Sequence, residues 1–145
     1  MTTYRLAVAA RYTDRPYVHD LLAQAKLDIL PVEITADWLT SPFEADGELS
    51  LEEARRQVII NRREIILSHA LLYIPYYNHY NLQFRPEWSP GRLIDVGMAM
   101  AMALPIFVCG RREPSLYFSG YQPLIQCWPD ELHDTLADWI ERHPR

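Results

Sequence analysis

Short apolar runs alternate with longer amphipathic segments along the chain, and no other feature of the sequence restricts the fold as strongly. The runs cover residues 5–10, 29–35, 70–75, 105–109 and 124–128. Runs of this length separated by helical patterns are typical of a parallel sheet with helices on its faces. Pro31 in the second run has no backbone N–H, which predicts that this strand starts late or lies at an edge of the sheet.

Four further segments carry helical patterns. They cover residues 16–27, 51–68, 93–104 and 129–143. Pro16 suits the first turn of the first helix, and Ser50 with Glu53 has the spacing of a capping box at the start of the second. Five strands and four helices in this order predict one α/β domain over residues 1–145. We expect a flavodoxin-like three-layer sandwich with a five-stranded parallel sheet.

Composition and charge exclude several classes of protein. The net charge of −5 is spread along the chain, without the basic stripe of a protein that binds a nucleic-acid polymer. No apolar run is long enough to span a membrane, and charge interrupts the N-terminal segment too early for a signal peptide. We therefore expect a cytoplasmic protein. The histidines and cysteines lack metal-ligand spacing, so we expect no metal site, with Cys109 and Cys127 as buried free thiols.

The carboxyl ends of the predicted strands are the edge at which a doubly wound sheet binds its ligands. Arg11 and Tyr12 follow the first strand, residues 76–78 follow the third, and residues 110–112 follow the fourth. Several of these side chains can donate or accept hydrogen bonds. The sequence therefore predicts a binding site at this edge.

Asp95 is the only acidic residue in the stretch SPGRLIDVGMAMAMALP, which runs from Ser89 to Pro105. The residues after it predict a helix that is apolar nearly all round and buried, and Gly97 predicts a close backbone approach. Asp95 then lies in or near the first turn, where the helix dipole stabilises an anion by about 0.3–1 kcal/mol. The position fits both a helix cap and a carboxylate held ionised as a nucleophile at the ligand crevice.

Three segments together resemble the nucleoside 2-deoxyribosyltransferase family and its relatives, the 2'-deoxynucleoside 5'-phosphate N-hydrolases. They are ARYTDR after the first strand, NRREIILSHALLYIP across the second helix and third strand, and SPGRLIDVGMAMAMALPIFV. The resemblance covers most of the chain. It implies a flavodoxin-like sheet, homodimers or higher oligomers with sites near subunit interfaces, and cleavage of an N-glycosidic bond without a cofactor.

The resemblance implies catalytic roles for three residues. Asp95 falls on the position of the family's glutamate nucleophile and is one methylene shorter, which matters because displacements of about 1 Å can cost 10²-fold in rate. Asn61 falls on an assisting aspartate and cannot take up a proton, although the same position also suits a solvated helix face. Tyr12 lies where the family often has an aromatic or hydroxyl group near the sugar. His69 replaces another family aspartate, and we expect it to be a buried structural histidine.

A second group of residues is expected to bind the substrate. Ser89 and Gly91 match the S-x-G arrangement of the 5'-phosphate hydrolases, and the backbone N–H groups of Gly91 and Arg92 would suit a phosphate at a helix start. Arg11 could add a charge-assisted contact. Alternatively, Ser89 belongs only to the helix N-cap region and Arg11 is a surface residue.

The aromatic loop that contains Tyr76 and Asn78 has two uses that the sequence does not separate. Its rings either stack on a nucleobase or fill a subunit interface, and the enrichment of aromatic residues at interfaces favours the second use for most of them. Tyr76 and Asn78 follow the third strand, and we include them among the substrate-binding residues.

Two functions of different class follow from these residues. The first is an enzyme that hydrolyses or transfers the N-glycosidic bond of a small-molecule nucleoside or nucleoside 5'-monophosphate through Asp95. The second is a nucleotide-binding or sensing module without catalysis, because Asp95, Asn61 and Ser89 all depart from the acids of the deoxyribosyltransferases. Retention of a carboxylate at position 95 favours the enzyme.

Overall fold

The structure is a computed structural model that describes residues 2–40, 50–75, 90–111 and 116–145. The strands are β1 (Tyr4–Ala9), β2 (Val32–Ile34), β3 (Ala70–Tyr73), β4 (Ile106–Cys109) and β5 (Leu124–Cys127). The helices are α1 (Arg15–Gln24), α2 (Leu51–Leu67), α3 (Pro90–Ala101), α4 (Leu116–Gly120) and α5 (Leu132–Arg142). The short helix α4 was not among the four predicted helices.

The five strands form one parallel sheet in the order β2-β1-β3-β4-β5. This order and the helices on both faces confirm the predicted flavodoxin-like α/β sandwich. Strand β2 lies at the edge and begins directly after Pro31, as the missing N–H of that residue predicted.

The two faces of the sheet carry separate apolar cores because alternate residues of each strand point to opposite sides. On one face, Val18 of α1 and Leu136 of α5 pack in the same cluster as Leu6 and Val8 of β1. On the other face, the cluster contains residues of α2, α3 and the intervening strand positions: Ala7, Ile65, Leu71, Val96 and Ala99. Helices α2 and α3 are therefore neighbours on one side of the sheet.

The starts of α2 and α3 can be compared with the helix starts that the sequence predicted. Ser50 Oγ accepts a hydrogen bond from the Glu53 backbone N–H at 3.2 Å, and Glu53 Oε2 accepts one from the Ser50 N–H at 2.9 Å, which confirms the capping box. Helix α3 begins at Pro90, three residues before the apolar segment that predicted it, so Gly91 and Arg92 lie at the helix start as expected. Proline favours this position because its fixed φ suits a helix and the missing N–H is not needed in the first turn.

Cys109 and Cys127 are buried free thiols that lie opposite each other on adjacent parallel strands. A hydrogen bond between the two thiols and burial raise the pKa of Cys109. The two cysteines are far apart in the sequence, and the sequence therefore did not predict this contact. In the described ranges of the chain, no helix is long and apolar enough to cross a membrane.

Candidate active site

Asp95 lies in the second turn of α3, and the first turn contains no acidic residue. Asp95 was expected in or near the first turn, and it lies just after that turn because the helix starts at Pro90. The side chain is half-buried, and loss of solvation raises its pKa to about 6, with a smaller contribution from the charge of Glu64. Stabilisation of the anion by the helix dipole does not explain this carboxylate, whose surroundings favour the protonated form.

Helix α2 turns a polar stripe towards the interior of the chain. Gln57, Asn61, Glu64 and Ser68 follow one another at spacings of four, three and four residues, which places them on one face. Gln57 Nε2 donates to Asn61 Oδ1 at 2.7 Å, and Ser68 Oγ donates to the Glu64 backbone oxygen at 2.6 Å. Helix α2 packs against α3, and the hydrogen bonds of Glu64 and Ser68 join this end of the stripe to Asp37 and Thr35 after β2.

Glu64 is the residue of this stripe that sequence reasoning missed. It is half-buried, and its Oε1 accepts a hydrogen bond from the backbone N–H of Asp37 at 2.7 Å. Burial is the main cause that raises the pKa of Glu64, and the charge of Asp37 adds to it. The only signal in the sequence was its position three residues after Asn61, on the same side of the helix.

A cavity of about 540 Å³ opens between the end of β2, α1 and α2. Its polar lining includes Glu64 on α2, Thr35 and Asp37 after β2, and His19 on α1. The Thr35 and Ser68 hydroxyls are hydrogen-bonded to each other at 2.9 Å beside it. Glu64 thus lines this cavity, and its charge also acts on Asp95.

Arg11 is buried at the exit of β1, where it forms a two-point ion pair with Asp14. The Arg11 Nη2 to Asp14 Oδ1 distance is 2.9 Å, and Nε to Oδ2 is 3.1 Å. Both residues are 9% exposed, so Arg11 is not a solvated surface residue. The charge of Arg11 is balanced inside the chain, and its contact with a phosphate stays a prediction.

Tyr12 lies in the turn that follows, with its hydroxyl accepting a hydrogen bond from Arg15 Nη1 at 2.9 Å. Its ring is 6.2 Å from that of Trp38, which donates from Nε1 to the Val8 carbonyl at 3.0 Å. These contacts hold Tyr12 beyond the end of β1. The predicted role of Tyr12 near the sugar stays a prediction.

Gly91 and Arg92 lie in the first turn of α3, where backbone N–H groups have no acceptor within the helix. The Arg92 side chain is only 5% exposed, and Nε donates to the Tyr73 hydroxyl at 3.4 Å. From the sequence, only the backbone N–H of Arg92 was expected to bind the substrate. The buried guanidinium adds positive charge beneath a helix N-terminus, an arrangement that favours an anion.

The remaining predicted residues fall into two groups. Ser89, Tyr76 and Asn78 lie outside the described residues. His69 lies at the amino end of β3, where Nδ1 accepts a hydrogen bond from the Arg5 N–H at 2.9 Å and burial lowers its pKa. This placement agrees with the expected structural role and puts His69 at the edge of the sheet opposite to the ligand-binding edge.

The register of the strands relates the residues after β1 to the start of α3. Ala9 at the end of β1 pairs with Tyr73 at the end of β3, and Tyr73 pairs with Val108 of β4. Arg11 and Tyr12 therefore leave the same edge of the sheet at which α3 begins. The fold collects the first turn of α3, Asp95 and the polar stripe of α2 on one face of the sheet.

Comparisons with known proteins bear on the fold. No protein-family model matches the sequence, and no curated protein matches it at a significant level. The structure is similar to that of the CMP N-glycosidase BcmB of Clostridium botulinum, with a TM-score of 0.57 and 16% sequence identity, over 92% of this chain and 98% of that chain. It is also similar to a conserved protein from Enterococcus faecalis, with a TM-score of 0.56 and 10% identity, over 97% and 99% of the two chains. The chain therefore shares its whole fold with these two proteins.

Proposed function

We propose that this chain cleaves the N-glycosidic bond of a nucleoside or nucleoside 5'-monophosphate, with Asp95 as the nucleophile. The observation that carries the proposal is a half-buried carboxylate, with a pKa raised to about 6, on the helix whose first turn follows the ligand-binding edge of the sheet. Such a group is ionised at neutral pH and is less solvated than a surface carboxylate, which favours attack on carbon. The likeness to a CMP N-glycosidase supports the same class of reaction.

The reaction has two steps in this proposal. A carboxylate oxygen of Asp95 forms a bond to C1' while the bond from C1' to the base nitrogen breaks, and the base leaves with the electron pair and takes up a proton from solvent. A water oxygen then attacks C1', the bond to Asp95 breaks, and the water proton returns to solvent. The carboxylate is regenerated. In a transfer reaction, the nitrogen of a second base takes the place of the water.

The substrate's 5' end would lie at the first turn of α3 in this proposal. The N–H groups of Gly91 and Arg92 and the hydroxyl of Ser89 would bind a phosphate, with the buried Arg92 guanidinium and Arg11 adding positive charge. Asn61 and Tyr12 would orient the sugar, and Tyr76 and Asn78 would contact the substrate from the loop after β3. The buried Arg92 guanidinium favours a phosphorylated substrate over a free nucleoside, whereas the charge of Arg11 is already balanced by Asp14.

The experiment is an assay of base release from a panel of nucleosides and 5'-monophosphates, followed by chromatography. We expect the parent chain to release free base and Asp95→Ala to release none, while Asp28→Ala, an exposed aspartate, behaves like the parent. A 2'-fluoro substrate analogue should label Asp95 and no other residue. Nucleotide binding without release by the parent would overturn the enzyme and support the non-catalytic binding module.

We also propose that a second copy of the chain covers α2 and α3. Large apolar side chains are exposed on the outer faces of these helices: Leu51, Val58, Ile59, Ile66, Leu67, Leu93 and Ile94. In the part of the chain that the structure describes, Ile65 is the only residue of α2 that is buried. A group of exposed large apolar side chains on neighbouring helices is typical of a surface that another protein covers.

The outer face of α3 is also self-complementary. Leu93 and Ile94 project near its start, whereas Gly97 and Ala101 leave the second half of the face small and exposed. In a two-fold pairing of antiparallel α3 helices, the large residues of each copy meet the small residues of the other, as an isologous contact requires. This pattern favours a second copy over an unrelated partner.

A further inference from the structure

Cys109 and Cys127 lie side by side at the carboxyl ends of β4 and β5. They are register partners on neighbouring parallel strands, so their Cα atoms lie about 4.8 Å apart, the ordinary spacing of strands in a sheet. A disulfide requires a Cα separation of about 4.4–6.8 Å. The backbone of this pair therefore meets the first geometric requirement for a disulfide.

The two side chains also point to the same side of the sheet. Both belong to the apolar cluster that contains Phe107, whereas Val108, between Phe107 and Cys109, belongs to the cluster on the opposite face. The thiols are hydrogen-bonded to each other. At the strand ends, the Gly110 N–H donates to the Cys127 carbonyl at 2.9 Å, which fixes the two backbones beside the thiols.

We propose that Cys109 and Cys127 are a reversible redox pair, which a peroxide converts into a disulfide that cross-links the ends of β4 and β5. The buried free thiols of the structure are the reduced state of this pair. The cross-link lies outside the proposed glycosidic reaction and does not rest on it.

The oxidation has two steps. The Cys127 thiolate attacks one oxygen of the peroxide, the O–O bond breaks, and the leaving hydroxide takes up a proton to become water, so that Cys127 is now a sulfenic acid. The Cys109 sulfur then attacks the Cys127 sulfur, the S–O bond breaks, and a second water leaves with the Cys109 proton. Two thiols are oxidised to one disulfide and hydrogen peroxide is reduced to two waters.

The surroundings of the pair support Cys127 as the attacking thiol. The hydrogen bond with Cys109 lowers the pKa of Cys127, and a hydrogen bond with Thr135 of α5 acts in the same direction. The same bond between the thiols raises the pKa of Cys109. The charges of Asp130 and Glu131, in the turn before α5, oppose the thiolates of Cys109 and Cys127 respectively, and burial opposes both.

The pair is buried but lies close to the surface along the chain. Cys109 and Cys127 are 2% and 1% exposed, whereas Trp128 directly follows Cys127 and is 52% exposed. Arg111, two residues after Cys109, is also exposed. Hydrogen peroxide is little larger than water, so we expect it to reach the thiols in the folded chain more readily than a bulky thiol reagent does.

The test treats the reduced, folded full chain with hydrogen peroxide, counts the remaining thiols by alkylation in denaturant, and then digests the chain with trypsin without reductant. We expect both thiols to be lost and residues 93–111 and 113–142 to appear as one linked pair, lighter by two hydrogen atoms than the separate peptides. Dithiothreitol should separate them. Two remaining thiols, sulfinic acid without a link, or a link between two chains would overturn the proposal, and the thiols would then be only small apolar side chains of the core.

Two variants test the order of the steps. In Cys109→Ser, oxidised Cys127 has no second thiol to attack it, so we expect a sulfenic acid that dimedone traps at Cys127. In Cys127→Ser, we expect weaker labelling of Cys109. Equal labelling of the two variants would contradict Cys127 as the attacking thiol. The linked peptides of the parent test the disulfide itself, whether or not either variant folds.

Urea unfolding of the oxidised and reduced parent tests whether the fold accommodates the link. A disulfide between residues 109 and 127 closes a loop in the unfolded chain, so we expect the oxidised chain to unfold at a higher urea concentration. Dithiothreitol should abolish the difference. A lower midpoint in the oxidised chain would show that the link distorts the two strands, and it would contradict a pair that the fold holds ready for a disulfide.

Discussion

At the scale of single residues, Asp95 has a position suited to a nucleophile, but its ionisation lowers the stability of the folded chain. Its pKa in the folded chain, about 6, lies above the ordinary value of 3.8 because of burial and the charge of Glu64. Ionisation is therefore harder in the folded state than in the unfolded state. This penalty is absent below about pH 3.8, grows as the pH rises, and is complete above about pH 6.

Asp95→Asn should therefore stabilise the chain at neutral pH. Asparagine has the shape of the protonated acid and carries no charge, so we expect the free energy of unfolding to rise by about 1–3 kcal/mol at pH 7.5. The gain should disappear at pH 3.5, where aspartate is protonated in both states. Urea unfolding at the two pH values measures it, and Asp28→Asn on the surface is the control. An equal effect at both pH values would contradict the raised pKa.

At the scale of elements, α2 exposes large apolar residues that an ordinary surface helix would bury. Polar Gln57, Asn61 and Glu64 face the chain, while Val58 and Ile59 are 58% and 66% exposed. Helix α3, apolar nearly all round, was expected to be buried against the sheet and a neighbour, but Ile94 is 62% exposed. Both differences have one physical reason: the apolar residues of these helices exceed what the sheet can cover, and the surplus lies on the outer surface.

Gly97 bears on the stability of the single chain and on the proposed pairing with a second copy in different ways. The predicted close backbone approach is not met within the described chain, since a Cβ atom at this position would meet no atom within 4 Å. Gly97→Ala should stabilise the isolated chain by about 1 kcal/mol, because alanine is the better helix former. In the proposed pairing, the added methyl should also weaken self-association.

Unfolding of Gly97→Ala at high dilution measures the first effect, and sedimentation over a range of concentrations measures the second. Ala101→Ser is a conservative comparison on the same face of α3. A stabilised chain with unchanged association would place the interface elsewhere.

At the scale of the whole molecule, the proposed pairing makes the apolar surface of α2 and α3 the part of the chain that sets its oligomeric state. We expect the parent chain to self-associate and Ile94→Glu to be monomeric, since each copy would bury an unpaired carboxylate against the small residues of the other. Ile29→Glu is a matched control, because Ile29 is 69% exposed and lies outside α2 and α3. Light scattering after gel filtration gives the mass of each variant. A monomeric parent at all concentrations would contradict the proposed pairing.

The local sequence determined the five strands and four of the five helices. The apolar runs, the capping box of Ser50 and Glu53, and Pro31 at the edge strand act over a few residues, so their consequences can be read without a partner. They also placed Asp95 on a helix after the ligand-binding edge. Helix α3 begins at Pro90, before the apolar segment that predicted it, and Asp95 therefore lies in its second turn.

Tertiary structure alone decided which groups meet. The ion pair of Arg11 with Asp14, the contact of Arg92 with Tyr73 and the influence of Glu64 on Asp95 depend on burial and on neighbouring side chains. Hydrophobic pattern reports whether a helix has an apolar face, but not whether the sheet or another molecule covers it. The sequence by itself thus determined where the carboxylate lies along the chain, and packing determined its proton affinity, because desolvation and the charge of a neighbour exist only in the folded state.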